Sequence, residues 1–292
     1  MSMPLSGLLL AAGGAIAFSG KAIIVKLAYR HGVDAVTLIM FRMLFALPLF
    51  ALLAWWAGRG KPRLTRHDLL VICGLGFTGY YLSSFLDFAG LAYITASLER
   101  LILYMNPTLV LLMSVALHRT HVSRRQLLSL AFSYAGVLVV FGHEVRLEGA
   151  DVALGAVLVF GSAASYAVYM VLSGAHVKRI GALRLTGWAT SVAAVLCLLQ
   201  FVLLRPMSAA MVVPEVLWLS VLNATLCTFA PVVMIMMAIE RIGPTMTAQT
   251  GMIGPVTTIV LGVLMLGEPF TLWVAAGTAL VLTGIWLLAR SR

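Results

Sequence analysis

Ten apolar stretches follow one another along this 292-residue chain with little between them. Most are about 18 to 26 residues long, enough for a helix to cross roughly 30 Å of hydrocarbon. We place them at Pro4–Tyr29, Val36–Ala57, Leu69–Leu91, Ser97–Leu117, Gln126–Phe141, Val152–Ser173, Leu185–Leu204, Val216–Ile239, Thr245–Leu266 and Leu272–Ala289. A water-soluble core of this size needs far less apolar material than the 62% found here, and only 10% of the residues are charged. A membrane barrel would alternate polar and apolar residues over segments of about ten, and that alternation is missing. The expected fold is an all-α integral membrane protein of ten transmembrane helices.

Basic residues fall unevenly around these spans. Arg59, Lys61, Arg63, Arg66, Arg119, Arg124, Arg125, Lys178, Arg179, Arg184, Arg241, Arg290 and Arg292 lie on the side of the chain's ends, against Arg30, Arg100, Arg146 and Arg205 on the other. Positive residues stay in the cytoplasm, which predicts a multi-pass protein with both termini inside. The net charge of +10 is thus a topology signal, with no nucleic-acid partner implied. The start lacks the basic n-region of a secretory signal. Cys73, Cys197 and Cys227 sit in separate spans without metal-ligand spacing, as packing residues.

An offset of 148 residues brings the chain into register with itself without a gap. Gly7 falls on Gly155, Phe18 on Tyr166, Tyr81 on Phe229, Pro107 on Pro255, Ser123 on Thr271 and Gly136 on Gly284. Five spans per copy, 1–148 and 149–292, leave the second copy inverted in the bilayer, because an odd number of crossings ends on the opposite side. Inverted repeats are characteristic of secondary transporters, whose sites lie between the halves near the midplane.

Charged side chains inside spans need a partner or a watery cavity, at a cost of at least a few kcal/mol at mid-bilayer. Lys21, Arg42, Asp87 and Glu99 stand in the outer half of their spans, and Asp87 is expected to pair with Lys21 or Arg42 in a gate. The offset puts Tyr169, Thr190 and Ile235 where Lys21, Arg42 and Asp87 stand, so the two ends of the passage differ in chemistry. Tyr80, Ser84 and Asp87 share one helical stripe, as do Ser162, Ser165, Tyr166 and Tyr169. With Phe18, Tyr81, Tyr104, Trp188, Thr228, Phe229 and Gln249 they are candidates for lining a cavity suited to a substrate with an apolar body and a few polar groups. Hydrogen bonding between helices is the competing role for any one of them. Asn106-Pro107, Pro231 and Gly254-Pro255 interrupt the fourth, eighth and ninth spans, and Pro107, Pro231 and Pro255 are hinge candidates.

The spacing of Lys26 to Arg42, then LAYITASLERLILYMNPTLVLLMSVAL at 91–117, resembles the EamA-type repeat of the drug/metabolite transporter superfamily. A looser second copy carries Gly-Glu-Pro at Gly267–Pro269, typical of that family. The resemblance covers the whole chain and is to bacterial exporters of amino acids and related metabolites, among them the YddG type for aromatic amino acids. It implies export of small amphipathic metabolites by alternating access, with no cofactor and no metal. Cationic drugs are the alternative cargo, and a channel or scramblase-like pore is the alternative mechanism. All six histidines lie in or beside connections, and no His-Glu-x-x-His, Gly-x-Ser-x-Gly or Walker loop is present, which argues against an enzyme. The expected partners are a small-molecule substrate and the lipid bilayer, and the expected state is a monomer.

Overall fold

The computed structural model describes residues 5–118, 123–148, 150–251 and 253–289, with side chains inside helices left undescribed at 107, 114–118, 146–148, 150, 175, 178, 236, 239–240, 243–246, 248–249, 255 and 288–289. Among the described residues the ordered elements are helices: α1 (Leu5–Tyr29), α2 (Ala35–Gly58), α3 (Arg66–Leu91), α4 (Ala96–Leu103), α5 (Asn106–His118), α6 (Arg124–Glu148), α7 (Ala150–Ile180), α8 (Ala182–Leu204), α9 (214–250), α10 (253–266) and α11 (Leu272–Ala289). Seven of them have, alone, the length and apolarity to cross a membrane, and two shorter apolar helices cover Val256–Leu266 and Leu272–Leu287. The fourth crossing is shared by α4 and α5, which are separated by a break at Tyr104 and Met105.

Local sequence fixes several helix ends. Asp34 caps α2 by accepting from the Val36 and Thr37 amides at 3.0 and 3.3 Å, and Thr65 with Asp68 forms a capping box at the start of α3. The eighth and ninth crossings join within helical backbone. Gly7 of α1 lies against Ile242, and Ser19, twelve residues on, donates to the Gly254 carbonyl at 2.9 Å. The chain has therefore turned back between Ile242 and Gly254, yet helical hydrogen bonding continues from Ala230 to Thr250. The loop expected around Arg241 is absent: Glu240, Arg241 and Ile242 favour helix, and Pro244 is tolerated in a first turn.

The two five-crossing units pack through mutually related seams. Helices α6 and α11 run antiparallel, with Gly136 against the Gly277 carbonyl and Gly284 against the Ser129 carbonyl. Adding 148 to Gly136 gives Gly284, and subtracting it from Gly277 gives Ser129, so one contact becomes the other under exchange of the units. The same holds for α3 on α7 and α9 on α1: Ser83 bonds Ser162 at 3.1 Å, and at the matching place Gly14 lies on the Pro231 carbonyl. Equivalent helices pointing in opposite directions are what inverted repeats require. Glycine at these crossings lets backbones approach closely, which is how helices associate in lipid.

The units also share an irregularity that spacing does not reveal. Wide π-helical turns occupy Phe77–Leu82 in α3 and Thr225–Phe229 in α9, starting at positions that differ by 148. In the second unit Pro231 lacks an amide hydrogen, and the wide turn reroutes the bonding: Ala230 N–H reaches the Thr225 carbonyl and Thr228 Oγ1 reaches the Asn223 carbonyl at 2.8 Å. In the first unit the wide turn persists with Ser83 in the matching place. The break expected from Pro231 is thus a π turn and not an interruption.

Candidate functional site

Five charged side chains lie buried together, none more than 6% exposed: Lys21, Arg42, Asp87, Glu99 and Arg100. The Lys21 ammonium donates to Asp87 Oδ2 at 2.5 Å and is 3.3 Å from Glu99 Oε1, bridging α1, α3 and α4. Arg100 lies 3.9 Å from Glu99, donates from Nε to Thr258 Oγ1 at 2.9 Å, and reaches the Phe18 carbonyl at 3.2 Å, which adds α10. Phe18 itself is half-exposed, with Lys21 and Arg100 each 5.4 Å from its ring centroid. Ion pairs of this kind hold only when both charges are present, since removing one strands the other in low dielectric.

Asp87 takes Lys21 as its partner. Arg42, the other expected partner, instead donates to Ser84 Oγ at 2.8 Å and lies over the Phe88 ring at 4.8 Å. Arg100, assigned from sequence to a connection, is buried in the first turns of α4. An arginine at a helix end can reach water or turn inward; here Glu99 and Thr258 supply its partners. The adjacent Glu99-Arg100 pair directly after the Thr95 cap was the available signal.

The end of α4 that carries these ions is held from three directions. Thr95 Oγ1 accepts from the Leu98 amide and donates to Glu144 of α6 at 2.6 Å. From the second unit, Glu268 accepts from the Ala96 amide at 2.6 Å, the Ser97 amide at 3.2 Å and the Ser97 hydroxyl at 2.8 Å. A carboxylate suits the positive end of a helix. Gly267, with φ +73°, makes the turn that brings Glu268 back, in a conformation that a side chain would strain. The Gly-Glu-Pro triplet is therefore a clasp between the units. Beside it, an open cavity of about 420 Å³ is lined by Lys26, Tyr29, Arg30, Thr95, Glu268 and Pro269, among others.

The aromatic candidates divide. Tyr80, Tyr166 and Tyr169 cluster where α3 meets α7, with the Tyr80 and Tyr169 hydroxyls 3.2 Å apart and ring centroids at 5.1 and 5.4 Å. The hydroxyls of the α7 stripe are used across this seam, Ser162 toward Ser83 and Ser165 toward the Thr78 carbonyl at 2.7 Å, so they join helices. Tyr80, Ser84 and Asp87 likewise face three neighbours, α7, α2 and α1; the π turn at 77–82 shifts Tyr80 relative to the other two, which lie beyond it on regular helix, three residues and about 60° apart. Tyr81 stacks near Phe77, and Phe229 meets Phe50 edge-on at 5.3 Å. Trp188 is exposed, off the face of α8 that buries Leu185, Thr186, Ala189 and Thr190.

Tyr104 marks the break in the fourth crossing, and its hydroxyl donates to the carbonyl of Gly251, at the break in the ninth, at 3.0 Å. The Asn106 amide donates to the Ala163 carbonyl at 3.0 Å, holding the restart of α5 on α7. The two interrupted crossings therefore touch at their interruptions, as discontinuous helices of transporters do around a midplane site. The side chains of Pro107, Gln249 and Pro255 lie outside the described residues.

Known proteins agree with this architecture. A crystal structure of a protein superposes with a TM-score of 0.67 over 97% of each chain at 18% identity, a likeness of fold. The uncharacterized transporter YcbK of Bacillus subtilis (strain 168) is 32% identical over 263 residues, covering 87% of this chain and 83% of YcbK. YetK of the same organism, also an uncharacterized transporter, is 25% identical over 252 residues, 84% of this chain and 76% of its own. The EamA-like transporter family matches twice, over residues 5–142 and 153–290. Two family repeats, related seams and interrupted crossings in matching places make this chain a member of the EamA-like transporter family.

Proposed function

We propose that this transporter exports small amphipathic metabolites, amino acids first and aromatic ones ahead of others, across the bacterial inner membrane by alternating access. Both chain ends then face the cytoplasm, a reading supported by the excess of basic residues on that side. The observation that carries the proposal is the buried group of Lys21, Asp87, Glu99 and Arg100, which ties α1, α3, α4 and α10 together toward the periplasmic end. The matching positions of the other unit hold Tyr169, Ile235, Thr247 and Ala248. One end is closed by ions and the other by the Tyr80–Tyr166–Tyr169 packing, so the two closures can open separately.

An ion-paired closure suits a gate, since exchanging one partner for water or substrate costs little once water enters and much while the site is dry. The rings of Phe18, Tyr81, Tyr104 and Phe229 supply apolar faces between the units for a substrate with an aromatic body. The test is counterflow of labelled phenylalanine, tyrosine and threonine in proteoliposomes. Saturable exchange supports the carrier, whereas flux that rises without saturation points to a pore. Asp87→Asn, matched for reconstituted amount, slows exchange if the cluster is a gate; exchange at the wild-type rate would remove that role.

A further inference from the structure

Charge bookkeeping in the buried cluster leaves one cation over. Lys21 contacts both Asp87 and Glu99, and Arg100 contacts Glu99, but no described carboxylate lies within 4.0 Å of Arg42. Its guanidinium makes one hydrogen bond to a described residue, to Ser84, and Nε is buried with none. The Phe88 ring covers one face at 4.8 Å, which leaves the edge, where the donors are, for something planar and anionic. A purely structural arginine in such a place would have its fork filled.

The surroundings put that edge between the units. Arg42 sits on α2 beside Ser84 of α3, and within electrostatic reach of Asp87 on α3, whose nearest cation is Lys21, and of Cys197 on α8 and Cys227 on α9. Cys227 in turn lies against Gly20 of α1. Ser84 accepts from Arg42, so its own hydroxyl hydrogen is available to a second acceptor. The second unit has Thr190 where the first has Arg42, so this anchor occurs once.

We infer that Arg42, with Ser84, binds the carboxylate of the transported molecule. The inference rests on the transporter reading above and narrows its substrates to carboxylates. Asp87 and Glu99 are charge-paired with Lys21 and Arg100, although Asp87 Oδ1 and both Glu99 oxygens are buried without a hydrogen bond, and a cation near Arg42 is repelled. On this assignment the acid group, and not the ammonium, selects the cargo.

The test uses purified full-length protein and four probes of one shape: phenylalanine, 3-phenylpropionate, phenylalaninamide and phenethylamine. Thermal stabilisation in detergent reads binding, and competition against phenylalanine counterflow reads transport. The two acids stabilise and compete, and the amide and amine do not. Arg42→Gln weakens the acids by about tenfold or more, as loss of a charge-assisted pair does, and Arg42→Lys by less. If Arg42→Gln does not fold, Ser84→Ala serves, with a few-fold loss confined to the acids.

Amine binding equal to acid binding, or an unaltered affinity in Arg42→Gln, would overturn the carboxylate assignment and leave the carrier intact. Acid-selective, Arg42-dependent binding without counterflow would keep the assignment and overturn transport of these compounds. No binding and no counterflow with any probe overturns both.

Discussion

Replacing Glu268 by alanine removes the clasp between the two units, and the structure allows its cost to be worked out. The carboxylate accepts three hydrogen bonds, from two backbone amides and one hydroxyl at the start of α4. Bonds to an ionised acceptor are worth about 1.5–3 kcal/mol each, but the site opens on a wet cavity, and water replaces part of what is lost. Helix-cap deletions cost about 0.5–2 kcal/mol, and this cap carries more bonds than most. The expected loss is about 2–4 kcal/mol for Glu268→Ala and about half of that for Glu268→Gln, which keeps one acceptor oxygen. Unfolding of the purified protein in a detergent–denaturant series measures it. Ser97→Ala should cost much less in the Glu268→Ala background than in wild type, because the hydroxyl has then already lost its acceptor. A loss below about 0.5 kcal/mol, or full additivity with Ser97→Ala, would mean that the clasp bears no load.

Asp87→Asn or Lys21→Gln alone should destabilise by about 3–5 kcal/mol, and the double variant by less than the sum, in the same unfolding series. Gly284→Ala drives a methyl group into Ser133 Oγ and to 2.8 Å from the Ser129 carbonyl, so α6 and α11 should separate at a cost of about 1–3 kcal/mol, read as a lowered melting temperature. Pro231→Ser should stay within about 1 kcal/mol of wild type and keep its transport rate, because Ser83 stands at the end of the equivalent wide turn. At Asp34 burial opposes ionisation, but hydrogen bonds from Thr37 and Arg205 outweigh it and hold the carboxyl below the usual aspartate range. A group with a depressed folded value stabilises above its unfolded value and loses that contribution as pH falls through the folded one. Melting temperatures of wild type and Asp34→Asn should therefore converge as pH drops below about 4.

The crossings were legible because a 30 Å hydrocarbon layer forces long apolar runs, and the inversion because five is odd. The pairing of Asp87 with Lys21 was half legible: depth along a helix placed both in one end, but depth does not say which of two cations faces the carboxylate. That choice depends on rotation about the helix axis. The π turn at 77–82 alters this rotation by about one residue for Tyr80 relative to Ser84 and Asp87, while the angle of about 60° between Ser84 and Asp87 on regular helix is enough to aim them at α2 and α1. The serines of α7 bond across a helix seam for a reason that spacing alone does not show. In lipid a hydroxyl without water seeks a carbonyl or hydroxyl on the next helix, so a polar stripe marks a seam as readily as a passage. Glu268 was visible only through family resemblance, since its partners, Ala96 and Ser97, lie 172 and 171 residues away.

The frame and its contents obey different symmetries, and the difference is informative. Backbone features recur in both units: the Gly136–Gly277 and Ser129–Gly284 contacts, the wide turns at 77–82 and 225–229, and the interruptions that meet through Tyr104 and Gly251. These features set how closely helices pack and where they bend, which is what two equivalent closures would share in the proposed mechanism. Charges do not recur, since Lys21, Asp87 and Glu99 have Tyr169, Ile235 and Thr247 as counterparts. A stability requirement would not select for such a difference, because burying ion pairs in lipid is no more stabilising than packing apolar groups. The charges instead confine the costly, water-sensitive contacts to one end of an otherwise even-handed machine. Under the proposed alternating access, a substrate group that competes for them would act on that closure alone, while the aromatic closure would respond to the apolar body of the same molecule.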